Sequence, residues 1–200
     1  MRKCLGAILL LITAMTLQAC APKSQQDCGF VQNVYGERIS WKREVPVKMY
    51  LDESVPDQYI SAIVAAAQTW EKTAGRRLFE IQTKKIKAGA PEKNGYNVIY
   101  WMNAWEGNRA SEQARTSVYW VGDQIKEADI RVNNRDFNFY WNTGSQMGVN
   151  IEALLLHELG HVLGLKHKDD GGSVMATYLS SGSNRVALAS TDTVNLQCEY

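Results

Sequence analysis

Three histidines in one short stretch constrain this chain more than any other feature of its sequence. They are His157, His161 and His167, and the protein contains three histidines in total. His157 and His161 are four positions apart, so on a helix they lie on one face and can bind the same metal ion. Gly164 can adopt the left-handed conformation that ends a helix, which allows the chain to turn and bring in His167. The spacing therefore predicts a helix over residues 150–164 that carries a three-nitrogen metal site.

Glu158 makes this site suited to catalysis. Three imidazole ligands leave the fourth position of a tetrahedral zinc ion open, as in catalytic rather than structural zinc sites. The carboxylate of Glu158, which directly follows the first histidine, can reach a water on the metal and act as a general base. We therefore expect a single catalytic Zn²⁺ ion. Core packing is the alternative explanation of this leucine-rich helix, but it accounts for none of the histidines.

The histidine stretch resembles the H-E-x-x-H-x-x-G-x-x-H motif of the metzincin zinc peptidases. A Met-turn follows that motif in the family, and Met175, in the sequence Ser-Val-Met, resembles it. Met175 lies eight residues after His167, which is the interval of the matrixin branch, the relatives of the matrix metalloproteinases. The resemblance extends over residues 41–200, but only 157–175 are specific to it. Together with the lipoprotein-type leader described below, it suggests a bacterial relative of these enzymes.

This resemblance implies an α/β fold. Its parts are a twisted, mostly parallel sheet with an antiparallel edge strand, a zinc-binding helix, a Met-turn and a C-terminal helix. It also implies a zinc-dependent endopeptidase whose protein or peptide substrate lies antiparallel to the edge strand, for which residues 116–121 are the candidate. Glu158 would be the general base, and Met175 would form a hydrophobic floor beneath the zinc ligands. Residues 176–184 would border the pocket for the side chain after the cut.

Departures from the matrixin pattern limit what the resemblance implies. Lys168 stands where matrixins usually have serine, and no histidine remains for their structural zinc site. Calcium is compatible with the family, although no calcium ligand is assignable. Tyr178 is one residue out of step with the tyrosine ligand of some metzincins, so it receives no such role. Two alternatives stay open: a zinc hydrolase acting on a cell-envelope amide, and a non-catalytic zinc-binding lipoprotein, against which the intact Glu158 argues.

The first residues have the three parts of a secretory signal peptide: two positive residues, an uncharged stretch over 5–17 and small residues near the cleavage point. A transmembrane helix needs about 20 apolar residues, which argues against an uncleaved membrane anchor. Leu-Gln-Ala-Cys at 17–20 resembles the lipobox of bacterial lipoproteins, which implies a signal peptide over 1–19 and a lipid on Cys20. The following Ala21 is typical of retention in the outer membrane of a Gram-negative cell. A cut after Ala21 would instead release a secreted or periplasmic protein.

Cys28 and Cys198 are the cysteines that remain beyond this leader. An oxidising compartment favours a disulfide between them, and two free thiols are the alternative. Residues 20–43 are polar and irregular, so we expect a lipidated tether there, followed by one domain over 44–200. The net charge of +1 gives no indication of a nucleic-acid partner, and we expect a monomer.

Hydrophobic periodicity predicts the remaining elements. Alternating residues predict five strands, over 45–51, 79–81, 97–102, 116–121 and 127–133. A helix is predicted from a cap at Ser54 to Gly75. Another begins at Ser190 and should turn Val194 and Leu196 inward. The order of elements predicts an α/β arrangement with a mostly one-sided sheet.

Overall fold

A computed structural model describes residues 24–142, 147–170 and 172–200. The predicted signal peptide and the predicted lipidation site, Cys20, lie outside the described residues. Within the described ranges, no helix is both long enough and apolar enough to cross a membrane.

The centre of the fold is a five-stranded sheet. Its strands are β1 (Val47–Asp52), β2 (Phe79–Ile86), β3 (Asn97–Met102), β4 (Ala114–Val121) and β5 (Gln124–Asn133). Their spatial order is β2-β1-β3-β5-β4, and all neighbours are parallel except β4, which pairs antiparallel with β5 at the edge. The expected α/β fold, with a mostly parallel sheet and an antiparallel edge strand, is confirmed. A short parallel pair, β6 (Phe139–Tyr140) and β7 (Val149–Asn150), lies apart from this sheet.

The helices are α1 (Ile60–Ala74), α2 (Ile151–Val162) and α3 (Ser190–Gln197). The first two pack against each other, and the indole N–H of Trp70 on α1 donates a 2.8 Å hydrogen bond to the carbonyl of Leu156 on α2. Because Trp70 is fully buried, this bond satisfies a polar group that would otherwise be costly inside the core. It also fixes α2, the helix that carries the histidines, against the rest of the domain.

The start of α2 follows the prediction from the sequence. The side chain of Asn150 accepts hydrogen bonds from the backbone N–H groups of Glu152 and Ala153, at 3.0 and 3.3 Å. Such a cap satisfies N–H groups that have no partner within the helix, and the acidic Glu152 in the first turn suits the helix dipole. Apolar residues then fill nearly every turn of α2, so it is a core element on almost all sides.

Several predicted boundaries differ from the structure. Helix α1 begins at Ile60 after a 3-10 turn, not at Ser54, because the Ser54 hydroxyl accepts a 3.0 Å hydrogen bond from the backbone of Trp101 in the sheet. Strands β2, β4 and β5 are longer than predicted, and β3 has the predicted limits. On α3, Leu196 is buried as expected, whereas Val194 is 61% exposed, so the expectation for Val194 was wrong.

The expected tether over residues 20–43 is not a free segment in its described part. Residues 27–41, called the N-terminal hairpin below, pack onto the domain. Phe30, Ile39 and Trp41 lie in the core, and the Trp41 indole donates a 2.7 Å hydrogen bond to the carbonyl of Val162. The expectation of a tether failed because these apolar residues are spaced without a helical or strand period. The folded unit therefore includes this segment.

A disulfide joins Cys28 to Cys198, as expected from the cysteine count, with Cα atoms 6.3 Å apart. It attaches the beginning of the N-terminal hairpin to the end of α3. A crosslink across so long a stretch of chain restricts the unfolded state and stabilises the fold by roughly 4–5 kcal/mol in the chain-entropy model.

Candidate metal centre

The three histidines converge on one point. Their Nε2 atoms are separated by 3.0 Å (His157 and His161), 3.1 Å (His161 and His167) and 3.2 Å (His157 and His167). Nitrogens bound at about 2.0–2.1 Å to a tetrahedral zinc ion lie about 3.3–3.4 Å from one another. The observed separations are close to that value, so the residues present fit a zinc ion. This is also the sole cluster of three possible ligand groups found among the described residues.

Backbone carbonyls orient two of these rings. The Nδ1 atom of His157 lies 2.7 Å from the carbonyl oxygen of Val174, and Nδ1 of His161 lies 2.8 Å from that of Leu165. A carbonyl can only accept, so Nδ1 carries the hydrogen and Nε2 presents its lone pair to the common point. Burial lowers the pKa of His157 and of His161 to about 4. Both imidazoles are therefore neutral near pH 7, which is the form that binds a metal.

Gly164 forms the turn that brings His167 to the other ligands. Its φ of 101° is unfavourable for residues with a side chain. A Cβ atom at this position would lie 2.2 Å from the carbonyl oxygen of Ile39. Gly164 N–H donates to the carbonyl of His161 at 2.9 Å, which closes the end of the helix. The predicted role of Gly164 in ending the helix is confirmed. Its close contact with the N-terminal hairpin is a second reason why this position requires glycine.

Met175 packs beneath the site and does not belong to the ligand cluster. It is buried, and a Cβ atom at Gly160, between the first two histidines, would lie 2.3 Å from the Met175 sulfur. Gly160 therefore allows the turn that carries Met175 to approach α2 closely. This position fits the predicted hydrophobic floor beneath the ligands.

Asp192 holds that turn in place, a role that was not predicted from the sequence. Its carboxylate accepts hydrogen bonds from the Ser173 hydroxyl at 2.6 Å, the Val174 N–H at 3.0 Å and the Ala189 N–H at 2.9 Å. Because the carbonyl of Val174 accepts from His157, the chain of contacts runs from α3 to a ligand ring. The available signal was an acidic residue in the first turn of the helix predicted to begin at Ser190.

Glu158 lies beside the histidines and is 4% exposed. The Thr116 hydroxyl, on the edge strand β4, donates a 2.6 Å hydrogen bond to Oε2 of Glu158. Burial raises the pKa of Glu158, while His161 and the Thr116 hydrogen bond oppose this shift. A carboxylate in such a position can take up a proton more readily than one in water. Thr116 was predicted as part of the edge strand, but its contact with Glu158 was not foreseen.

A cleft of about 640 Å³ runs past the three histidines. Edge strand β4 forms one wall, and the segment after the Met-turn forms another. Both had been predicted to border the substrate, as residues 116–121 and 176–184, and residues of both line the cleft. The contributions of Ala114, Val31 and Ile39 were not predicted. The lining residues from the two predicted walls are Thr116, Val118, Trp120, Ala176, Thr177, Tyr178 and Leu179.

Comparison with known proteins gives a consistent result. The family model described as Matrixin matches residues 56–200. The chain is 41% identical to matrilysin of Felis catus over 61 residues, which are 30% of this chain and 23% of the relative. It is 39% identical to matrilysin of Rattus norvegicus over 66 residues, or 32% of this chain and 25% of that relative. The matched part thus spans about a quarter of the length of these curated relatives.

Proposed function

The chain belongs to the matrixin family, and from this premise we propose that it is a zinc-dependent endopeptidase acting on proteins or peptides. The observation that carries the proposal is the convergence of three Nε2 atoms beside a buried carboxylate, Glu158, in a cleft open to an edge strand. Three nitrogen ligands leave a position on the metal for water and substrate, which a structural site does not need.

The residues of the site have separate roles in this proposal. His157, His161 and His167 would hold the zinc ion, which would supply a Lewis acid for the scissile carbonyl and would lower the pKa of water to about 7. Glu158 takes the proton of the attacking water and delivers it to the leaving amine. The Thr116 hydroxyl holds Oε2 of Glu158, which leaves Oε1 as the proton acceptor.

Edge strand β4 is the proposed substrate platform. It pairs with β5 on one side, and its other edge faces the cleft, so a peptide can add to the sheet as a further strand. The side chains of Ala114, Thr116, Val118 and Trp120, which alternate along β4, line the cleft. In an antiparallel pairing, the substrate enters with its N-terminal part beside Trp120 and leaves beside Ala114. Leu154, Tyr178 and Leu179 then surround the side chain that follows the cut.

We also propose that the protein is exported as a monomer and anchored to the outer membrane through a lipid on Cys20. The disulfide between Cys28 and Cys198 supports export, because such bonds persist in oxidising compartments. Mass spectrometry of the N-terminus of the processed protein tests the anchor. A diacylated Cys20 supports it, and an unmodified N-terminus beyond Ala21 means a released protein.

The enzymatic proposal is tested with the oxidised, processed protein and two substrates, an unfolded protein such as casein and purified cell wall. We expect casein cleavage that stops with a zinc chelator and returns when zinc is added. Release of peptide from cell wall without casein cleavage would support the alternative of a cell-envelope amidase. A folded, zinc-loaded protein that cleaves neither substrate would contradict the proposal and favour a zinc-binding role.

A further inference from the structure

We infer that the N-terminal hairpin and Trp120 form an apolar subsite for a substrate side chain that precedes the cut. The hairpin, residues 27–41, lies outside the part of the chain that matches the family model, 56–200. The inference rests on the proposed peptidase function and adds a substrate class to it: peptides with a large apolar residue on the N-terminal side of the scissile bond.

The hairpin is bonded to the loop that carries the third histidine. The N–H of Val31 donates to the carbonyl of Gly164 at 2.9 Å, and the N–H of Lys166 donates to the carbonyl of Gly29 at 2.8 Å. These bonds place the hairpin directly beside the metal centre, one residue before His167. The loop that leads to His167, which also lines the cleft, is therefore joined to the hairpin by backbone contacts.

The hairpin is also bonded to the turn at the end of the edge strand. The N–H of Ser40 donates to the carbonyl of Asp123 at 3.1 Å, and its carbonyl accepts from the N–H of Ile125 at 2.8 Å. The Asn33 side chain donates to the carbonyl of Gly122 at 3.2 Å. Because Gly122 and Asp123 connect β4 to β5, the hairpin links the end of β4 to the loop that carries His167. It closes that end of the cleft.

The side chains at this closed end are apolar. Val31 and Ile39 from the hairpin line the cleft together with Val118, Trp120 and Leu165. Trp120 is 48% exposed, and the other lining residues at this end of the cleft are apolar. Charged lining residues apart from Glu158 are Glu112 and Arg115, which pair with each other at the opposite end of β4. An apolar substrate side chain would cover Trp120 without leaving a charge buried and unpaired.

The pairing geometry gives the position of that side chain. Trp120 follows Thr116, which contacts Glu158, by four residues, or about 13 Å along a strand. A substrate antiparallel to β4 therefore places a residue about four positions before the cut beside Trp120. The register of β4 against β5 shifts between Tyr119 and Trp120, where β5 contains one extra residue, Lys126.

Cleavage of matched peptides tests the inference. After the cut site of one peptide is mapped by mass spectrometry, its third and fourth residues before the cut are set to Phe or to Gly. We expect the oxidised, zinc-loaded wild-type protein to prefer Phe in kcat/KM by about ten-fold or more. Trp120→Ala and Val31→Ser should each reduce this preference to about two-fold. Tyr119→Ala is the control, because that aromatic residue is not part of the cleft lining.

A binding measurement separates failure of this inference from failure of the proposed function. Calorimetry with the Glu158→Gln variant compares the same Phe and Gly peptides without hydrolysis. Tighter binding of the Phe peptide that is lost with Trp120→Ala supports the subsite even if no peptide is cleaved. Cleavage or binding with equal preference for Phe and Gly would overturn the inference, and so would absence of both binding and cleavage.

Discussion

Two buried carboxylates near the metal centre differ in how many hydrogen bonds hold them. Glu158 on α2 accepts one hydrogen bond from a side chain, the Thr116 hydroxyl. Asp192 on α3 accepts three, from one hydroxyl and two backbone N–H groups. Both are nearly inaccessible to solvent. The difference indicates that three donors lock a carboxylate into a structural role, whereas a single donor leaves it able to exchange a proton.

The arrangement around each carboxylate agrees with that division. Asp192 contacts the turn that supports His157 but does not line the cleft. Glu158 lines the cleft, and burial raises its pKa. Substitutions that preserve shape while changing the charge can separate the two roles, because each variant should fail in a different measurement.

The largest effect is expected for Glu158→Gln. Glutamine keeps the shape and can still accept the Thr116 hydrogen bond, but it cannot take up the water proton. The value of kcat should fall by about 10³-fold, with zinc content and thermal stability nearly unchanged. Kinetics with a quenched peptide, metal analysis and thermal unfolding measure these quantities. Retained activity in a zinc-loaded variant would show that Glu158 is not the base.

A large loss of stability is expected for Asp192→Asn. Oδ2 of Asp192 accepts from the N–H groups of Val174 and Ala189, and Oδ1 accepts from the Ser173 hydroxyl. Asparagine has one acceptor oxygen for these two positions, so at least one buried donor loses its partner and the free energy of unfolding should fall by about 1–3 kcal/mol. Because Val174 also orients His157, zinc should bind more weakly. Chemical denaturation measures the loss, and Val194→Ala on the exposed face of α3 is the control, expected to change stability by less than about 0.5 kcal/mol.

A smaller effect is expected for Asp129→Asn. This variant tests, at a site away from the histidines, whether a buried carboxylate with a single hydrogen-bond donor takes up a proton. Asp129 on β5 is buried and accepts one hydrogen bond, from the Val98 N–H at 2.9 Å. Burial raises the pKa of Asp129 to about 6, and nearby Glu127 adds to this. The folded state therefore binds more protons than the unfolded state between about pH 4 and pH 6, so Asp129 lowers stability as the pH rises through that window.

Asparagine keeps the acceptor for Val98 and carries no charge. We expect Asp129→Asn to raise the free energy of unfolding by about 1–2 kcal/mol at pH 7.5, after allowance for partial screening, and to leave it unchanged near pH 4. Denaturation curves at both pH values measure this. A loss of stability of equal size at both values would mean that the second oxygen of Asp129 makes a contact that asparagine cannot replace.

Much of the metal centre was predictable because it is local in sequence. Helical spacing brings His157 and His161 together, and Gly164 is needed for the turn to His167. The roles of Thr116 and Asp192 were not predictable from local pattern, since each contacts a residue far away in the chain. A hydroxyl on a strand and an acid at a helix start each have several ordinary explanations when read alone.

The same distinction applies to the fold. Strand β3 has its predicted limits because its apolar run is bounded on both sides by polar residues. The start of α1 was misplaced because Ser54, a good helix cap by sequence, bonds the sheet instead. The N-terminal hairpin was missed because its core residues have no regular period, and its placement on the domain depends on contacts with Gly164 and Asp123.

The bond between Cys28 and Cys198 has a practical consequence for the integrity of the chain. The two cysteines are 170 positions apart, so they enclose nearly all of the folded unit in one covalent ring. A single internal break in a surface loop, by self-cleavage or by another protease, would open the ring without releasing a fragment. The nicked protein would gain only the mass of one water, and it would run as a single band on a non-reducing gel. Two pieces would separate only after reduction, so purity judged without a reductant would conceal such damage.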